Sequence, residues 1–172
     1  MPPKSSTAPS GSRTPNNSGA TSRVPALVIK RTFNAPRDLV WKAWSDPAQA
    51  KEWWGPNGFT LPFLEMDQRT GGKWRAMMRS PDGKDMWQHG VYREIIPPEK
   101  TVYTFAWDAD PENETLVSVV FKPKGDKTEM TFTQEGFSSA EDREGHNDGW
   151  SQTFNRLATH LEKISGGRNA GR

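Results

Sequence analysis

The sequence predicts an α+β domain in which a long C-terminal helix lies across a seven-stranded, mainly antiparallel sheet. Three observations predict it. Apolar and polar residues alternate with period 2 from Phe59 to Phe137, interrupted by turn chemistry. Trp150, Phe154, Leu157, Leu161 and Ile164 then form one stripe of a long amphipathic helix. A strand-like run and two short helical segments precede the alternating region.

Residues 1–23, MPPKSSTAPSGSRTPNNSGATSR, are almost entirely Ser, Thr, Pro, Gly, Asn and Ala. Such a segment cannot bury enough apolar surface to offset the entropy of ordering, so a disordered tail is expected there. The folded domain is expected over residues 24–165, with a second frayed tail over 166–172. Ala26–Asn34 is rich in β-branched and apolar residues and reads as the first strand. In APRDLVWKAWSDPAQAKEWWGPNG, Pro36 and Pro47 each sit where a first helical turn accepts proline, and Asp46 is placed to cap the second helix. Leu39, Val40, Ala43 and Trp44 give the first helix its apolar face, and Gly55-Pro56 ends the pair. Six strands follow, with SPDGK and PKGDK as hairpin turns and DADPENE as a longer loop. Ser138 and Glu141 stand in capping-box spacing at the start of the last helix, and Gly166 is its expected C-cap.

A chain of 172 residues suits one domain of ordinary size. Its apolar content is 33% and includes eight Trp and eight Phe, rings large enough to enclose a cavity or to fill a small core. No run approaches the roughly 20 apolar residues of a membrane span, and the N-terminus carries no apolar signal region. With no cysteine there is no disulfide, thiolate nucleophile or Cys metal site, and a cytoplasmic compartment is expected. The net charge of +2 divides unevenly: Lys4, Arg13, Arg23, Arg168 and Arg172 lie in the tails, which leaves −3 for the central segment. A mildly acidic domain argues against a phosphate-binding surface, so no nucleic-acid partner is expected.

EWWGPNGF places Trp53 and Trp54 where regular structure must stop. Successive helical residues diverge by about 100°, so one ring can pack inward while the other faces a cavity entrance or an external surface. Core plug, pocket mouth and partner patch all remain open; a membrane anchor lacks the cationic amphipathic face it needs. Trp74, Ala76 and Met78 share one strand face, expected to be concave, opposite Lys73, Arg75, Met77 and Arg79. Tyr103, Phe105 and Trp107 share another face, as do Met130, Phe132 and Gln134. Converging with Trp150 and Phe154, these make either an aromatic ligand box with polar handles or a filled core.

His89 lies in a strand pattern and is a candidate buried general base. His146 and Asp148 are two apart, a spacing that faces no shared helical side, so no metal is expected there; His160 falls on the polar side of the last helix. Glu65, Asp67, Asp85 and Glu94 are candidate paired carboxylates. No nucleophile elbow, phosphate loop, dinucleotide fingerprint or zinc-protease motif occurs, and no cofactor is expected.

The words APRDLVWKAWSDPAQAKEWWGP, GVYREIIPPEKTVYTFAW and NDGWSQTFNRLATHLEK resemble the START-like (SRPBCC) superfamily over about residues 25–164. Within it, the chain is similar to the bacterial branch homologous to the C-terminal domain of the activator of heat shock protein 90 ATPase. The resemblance implies a helix-grip fold, whose curved sheet wraps the C-terminal helix and leaves an apolar cavity between them. Superfamily relatives include lipid and hormone carriers, aromatase/cyclases, sequestering resistance proteins and chaperone cofactors, so the fold alone does not fix the function. The leading expectation is a non-enzymatic module that binds a small hydrophobic or aromatic molecule, as monomer or homodimer. Candidate cavity residues are Trp53, Trp54, Trp74, Met78, His89, Tyr103, Phe105, Trp107, Phe132, Gln134, Trp150 and Phe154. Two other readings stand beside it: a chaperone co-regulator acting through an exposed Trp53 or Trp54, and a cyclase or hydrolase that uses His89 with a pocket carboxylate.

Overall fold

The computed structural model describes residues 24–170, so the tail expected over residues 1–23 and the last two residues lie outside it. β1 (Leu27–Phe33) buries Leu27, Ile29 and Phe33 and exposes Val28, Lys30 and Thr32. α1 (Arg37–Ser45) and α2 (Pro47–Trp53) follow and share Asp46 as a joint. The Asp46 backbone N–H donates to Lys42 O and closes α1, while its carboxylate accepts from Ala48 N at 3.0 Å and opens α2. Val40, Ala43 and Trp44 of α1 are buried.

β2 (Thr60–Met66), β3 (Lys73–Arg79), β4 (Asp85–Ile96), β5 (Lys100–Trp107), β6 (Asp110–Lys124) and β7 (Lys127–Glu135) form a meander, each pairing antiparallel with its neighbour in the chain. β1 crosses back to pair with β7, giving a seven-stranded sheet in the order β1-β7-β6-β5-β4-β3-β2. α3 (Ala140–Ala170) lies across the concave face, with Trp150, Phe154, Leu157 and Leu161 buried against it. Arg31 of β1 ties the sheet edge to α3, donating to Asn155 Oδ1 at 2.8 Å and Ser151 O at 3.1 Å. This is the helix-grip architecture the resemblance implies.

Three local expectations change. DADPENE is not a long loop: β5 and β6 pair from Trp107 and Asp110 through a tight turn. The first residues of β6 extend beyond the end of β7, which pairs only from Leu116 onward. Since β7 does not reach Pro111, the proline withholds no ladder hydrogen bond from that strand. The N-cap of α3 is Ser139, one residue later than expected, since its Oγ accepts from Asp142 N at 3.0 Å. Gly166 does not end α3, which runs to Ala170 and so extends through most of the segment expected to be a tail.

The four buried rows of the stripe anchor α3, so their truncation should be costly in proportion to the cavity left behind. Leu157→Ala should lower the unfolding free energy by about 3 kcal/mol in urea titration. Val28→Ala, at 54% exposure on the outside of β1, should change it by less than about 0.5 kcal/mol.

Candidate functional site

Where α3 begins, the sheet and helix do not close on each other, and a cavity of about 580 Å³ remains. Trp54, Gly55, Pro56 and Phe59 form one side, at the turn that leaves α2. Met78 of β3, Met86 and Gln88 of β4, and Phe105 and Trp107 of β5 form the floor. The first turns of α3 form the roof, with Glu141, Asp142, Gly145, His146, Gly149, Trp150 and Thr153. Gly145 and Gly149 stand one helical turn apart on the roof, and their missing side chains create part of the space. A Cβ at Gly145 would meet nothing within 4 Å, and one at Gly149 would meet only Pro56 Cγ, at 3.8 Å.

The tryptophan pair divides its work. Trp53 is fully buried, donates Nε1 to Ala43 O at 3.1 Å and packs edge-on against Trp44, plugging the space between α1 and α2. Trp54 packs beside it, with ring centroids 5.7 Å apart, and also forms a cavity wall, its ring 6.0 Å from Trp74 and 5.7 Å from Trp150 and its Nε1 donating to Gln88 Oε1 at 3.1 Å. The chain can turn away here because Gly55 adopts φ +107°; a Cβ would also press on Phe59 and Met78. Arg156 of α3 holds the turn, donating Nη1 to Gly55 O at 2.8 Å and Pro56 O at 3.0 Å.

Of the candidate residues, Trp54, Met78, Phe105, Trp107 and Trp150 line the cavity. Trp53, Phe132 and Phe154 are core residues behind it, and Gln134 acts one layer back. Gln134 Oε1 accepts from Trp150 Nε1 at 2.9 Å, and its Nε2 donates to Thr115 Oγ1 at 2.8 Å, which fixes the Trp150 ring. Trp74 and Tyr103 line a separate, much smaller chamber on the far side of Trp54. The Trp74 indole lies over Gly90 to reach Thr104 O at 3.0 Å, a position any β-carbon at residue 90 would block.

His89 is not in the cavity. Strand alternation turns it to the convex face, where Nδ1 lies 2.6 Å from Asp108 Oδ1 and the same carboxylate binds Arg75 at 2.6 Å. Its neighbour Gln88, 1% exposed, is the β4 side chain that faces inward. The convex face also carries Phe63 and Trp87 in contact, with the Arg75 guanidinium 4.4 Å over the Trp87 ring. The imidazole that does enter the cavity is His146. It pairs with Trp107, whose Nε1 donates to His146 Nε2 at 3.3 Å, and with Asp142 at 3.9 Å one turn back, not with Asp148. The i−4 spacing to Asp142 and the Gly145/Gly149 repeat were the available signals. Among the described residues no group of three or more His, Asp or Glu is placed to hold a metal, and no helix is long and apolar enough to cross a membrane.

A helix-grip sheet with an aromatic cavity under the start of its long helix defines a protein of the START-like class. The chain belongs to the family described as Activator of Hsp90 ATPase homolog 1-like protein, whose model matches residues 34–162. It is similar to protein CV1439 from Chromobacterium violaceum, at 28% identity over 80% of this chain and 97% of that one, with a TM-score of 0.73. The AHSA1 protein SPO3351 from Silicibacter pomeroyi shares the fold at 24% identity, over 81% and 99% of the chains, with a TM-score of 0.73. A protein from Arthrobacter aurescens does so at 24% identity, over 80% and 86%, also at 0.73. No curated protein matches the chain significantly.

Burial holds the His146 pKa below the ordinary imidazole value, with Asp142 partly opposing the shift. The folded state therefore takes up this proton less readily than the unfolded chain. The stability that neutral His146 contributes is complete above the unfolded value of about 6.5 and is lost as pH falls through the folded one. Denaturation midpoints measured from about pH 7.5 down to about pH 5 should fall more steeply for wild type than for His146→Gln. Parallel curves would show that His146 titrates no differently in the two states.

Proposed function

We propose that the protein binds a small hydrophobic molecule with an aromatic or otherwise flat body in the cavity beneath the start of α3, as a carrier, sensor or sequestering protein. The observation that carries this reading is the construction of the cavity. Its volume of about 580 Å³ falls in the range of small-molecule sites. Trp54, Phe105, Trp107 and Trp150 supply flat apolar walls, while Gln88, His146 and Thr153 are the polar groups able to orient a ligand. Transfer of such a ligand from water contributes about 25 cal/mol per Å² of apolar surface buried.

Two features separate this cavity from a packing defect. Its walls are held by directed hydrogen bonds, Trp54 to Gln88 and Trp150 to Gln134, so the rings cannot collapse inward without breaking them. Its roof carries glycine at two successive turns, where nearly any other residue would fill the space and favour the helix more.

The other expectations lose their residues. Trp53 and Trp54 are 0% and 3% exposed, so neither offers a surface for a chaperone. His89 stands on the face opposite the cavity and cannot act as a base within it.

Native mass spectrometry of protein purified from its own host, repeated after denaturation, is the direct test: a reproducible non-covalent extra mass is expected. Gly149→Leu should abolish that mass by filling the roof, while its melting temperature holds or rises because leucine favours the helix by about 0.5–1 kcal/mol over glycine. Retention of the cargo by a folded Gly149→Leu protein would place the binding elsewhere.

A further inference from the structure

The charged side chains that line the cavity are all acidic. Glu141 and Asp142 stand at its α3 rim, and no Lys or Arg is among the lining residues. Two cations of α3, Arg143 and Arg156, are committed elsewhere. Arg143 donates to Pro25 O at 2.9 Å and Ala26 O at 3.2 Å and pairs with Glu144, away from the cavity. Arg156 is taken up by the backbone carbonyls of the Trp54–Pro56 turn. Neither Glu141 nor Asp142 has a Lys or Arg partner among the described residues; Asp142 faces only His146. His146, held toward its neutral form by burial, adds no positive charge near neutral pH. The start of α3 itself offers about half a positive charge, less than the two carboxylates carry, and Ser139 already caps Asp142 N.

The floor and walls have the same polarity. Trp54, Phe105, Trp107 and Trp150 supply four aromatic rings, and a ring face attracts a cation through its quadrupole and repels an anion. Resting on the binding role proposed above, we propose further that the cavity selects aromatic ligands that carry a protonated amine and discriminates against carboxylates of the same size. The apolar body lies among the rings, and the ammonium reaches the Glu141 and Asp142 rim.

Three probes of one shape separate charge from fit: 1-naphthylmethylammonium, 1-naphthylmethanol and 1-naphthoate, titrated calorimetrically at neutral pH. The ammonium should bind about tenfold tighter than the alcohol, and the carboxylate more weakly than either. In Glu141→Gln/Asp142→Asn, with folding checked by melting temperature, the ammonium-to-alcohol ratio should fall toward one. A carboxylate that binds as well as the ammonium, or a ratio unchanged in the double variant, overturns the selectivity while leaving the binding role intact. If all three probes fail, the alcohol included, the binding role itself fails and the selectivity with it.

A different observation carries a second inference. Trp44 Nε1, Thr101 Oγ1 and Tyr103 OH are buried without a hydrogen-bond partner among the described residues. All three line the small chamber behind Trp54, whose volume is about 20 Å³. A single water needs roughly 10–15 Å³ on this measure and two to four polar partners. We infer that the chamber holds one ordered water bound to these three groups. Tyr103→Phe decides the matter by sign. A bridged hydroxyl is stabilising, so its removal should lower the melting temperature and weaken the nuclear Overhauser effect from water to the Trp44 indole proton. An unbridged buried hydroxyl is destabilising, and a raised melting temperature with no such water signal in wild type would overturn the inference.

Discussion

Arg156 is the fastening on which the site depends. Its Nη1 donates to Gly55 O and Pro56 O, and Nη2 reaches Glu52 O at 3.4 Å, so one guanidinium gathers the carbonyls where α2 has run out. The last carbonyls of a helix have no partner within it, and a charged donor meets that need more strongly than a neutral one. The consequence is spatial. With the turn tied to α3, the Trp54 ring is held with Trp44 and Trp53 on one side and Trp74 and Trp150 on the other. It stands as a partition, held by Gln88. Asn57 N adds a second tie, donating to Gln152 Oε1 at 3.0 Å.

From that partition a continuous set of rings extends through the molecule. Trp54 meets Trp44, Trp74 and Trp150, and Trp150 meets Phe105, Phe132 and Phe154, most of them edge-on or tilted, as the ring quadrupoles prefer. Aromatic side chains have few rotatable bonds, so a wall built from them costs little additional entropy to hold in place. The cavity is therefore preformed, its walls braced from behind by Phe132, Phe154 and the Gln134–Thr115 pair.

The fold was legible because its signals are periodic. Strand alternation placed Trp74, Ala76 and Met78 on the concave face, and the helical stripe placed Trp150, Phe154, Leu157 and Leu161 beneath α3. The site was only half legible, for a definable reason. Periodicity says which face a residue takes but not whether the volume in front of it is filled, so Phe132 and Phe105 read alike although one is core and the other lines the cavity. His89 was singled out for its chemistry although its neighbour Gln88 has the inward parity. Gly145 and Gly149 went unread because their contribution is an absence of atoms. Either serine at the start of α3 has an acid three residues on, Glu141 for Ser138 and Asp142 for Ser139, so spacing alone cannot choose Ser139 as the cap.

The return of β1 to pair with β7 has a consequence in time. The strands between them can zip together neighbour by neighbour as the chain grows, but β1 waits as an unpaired edge until residues Lys127–Glu135 have been made. Only then can Arg31 meet α3, which follows β7 in the chain. Pairings between distant parts of a sequence are slow to form and leave strand edges exposed to other chains meanwhile. The polar and charged residues Lys30, Arg31 and Thr32, set within an otherwise apolar first strand, guard it against mispairing during that wait.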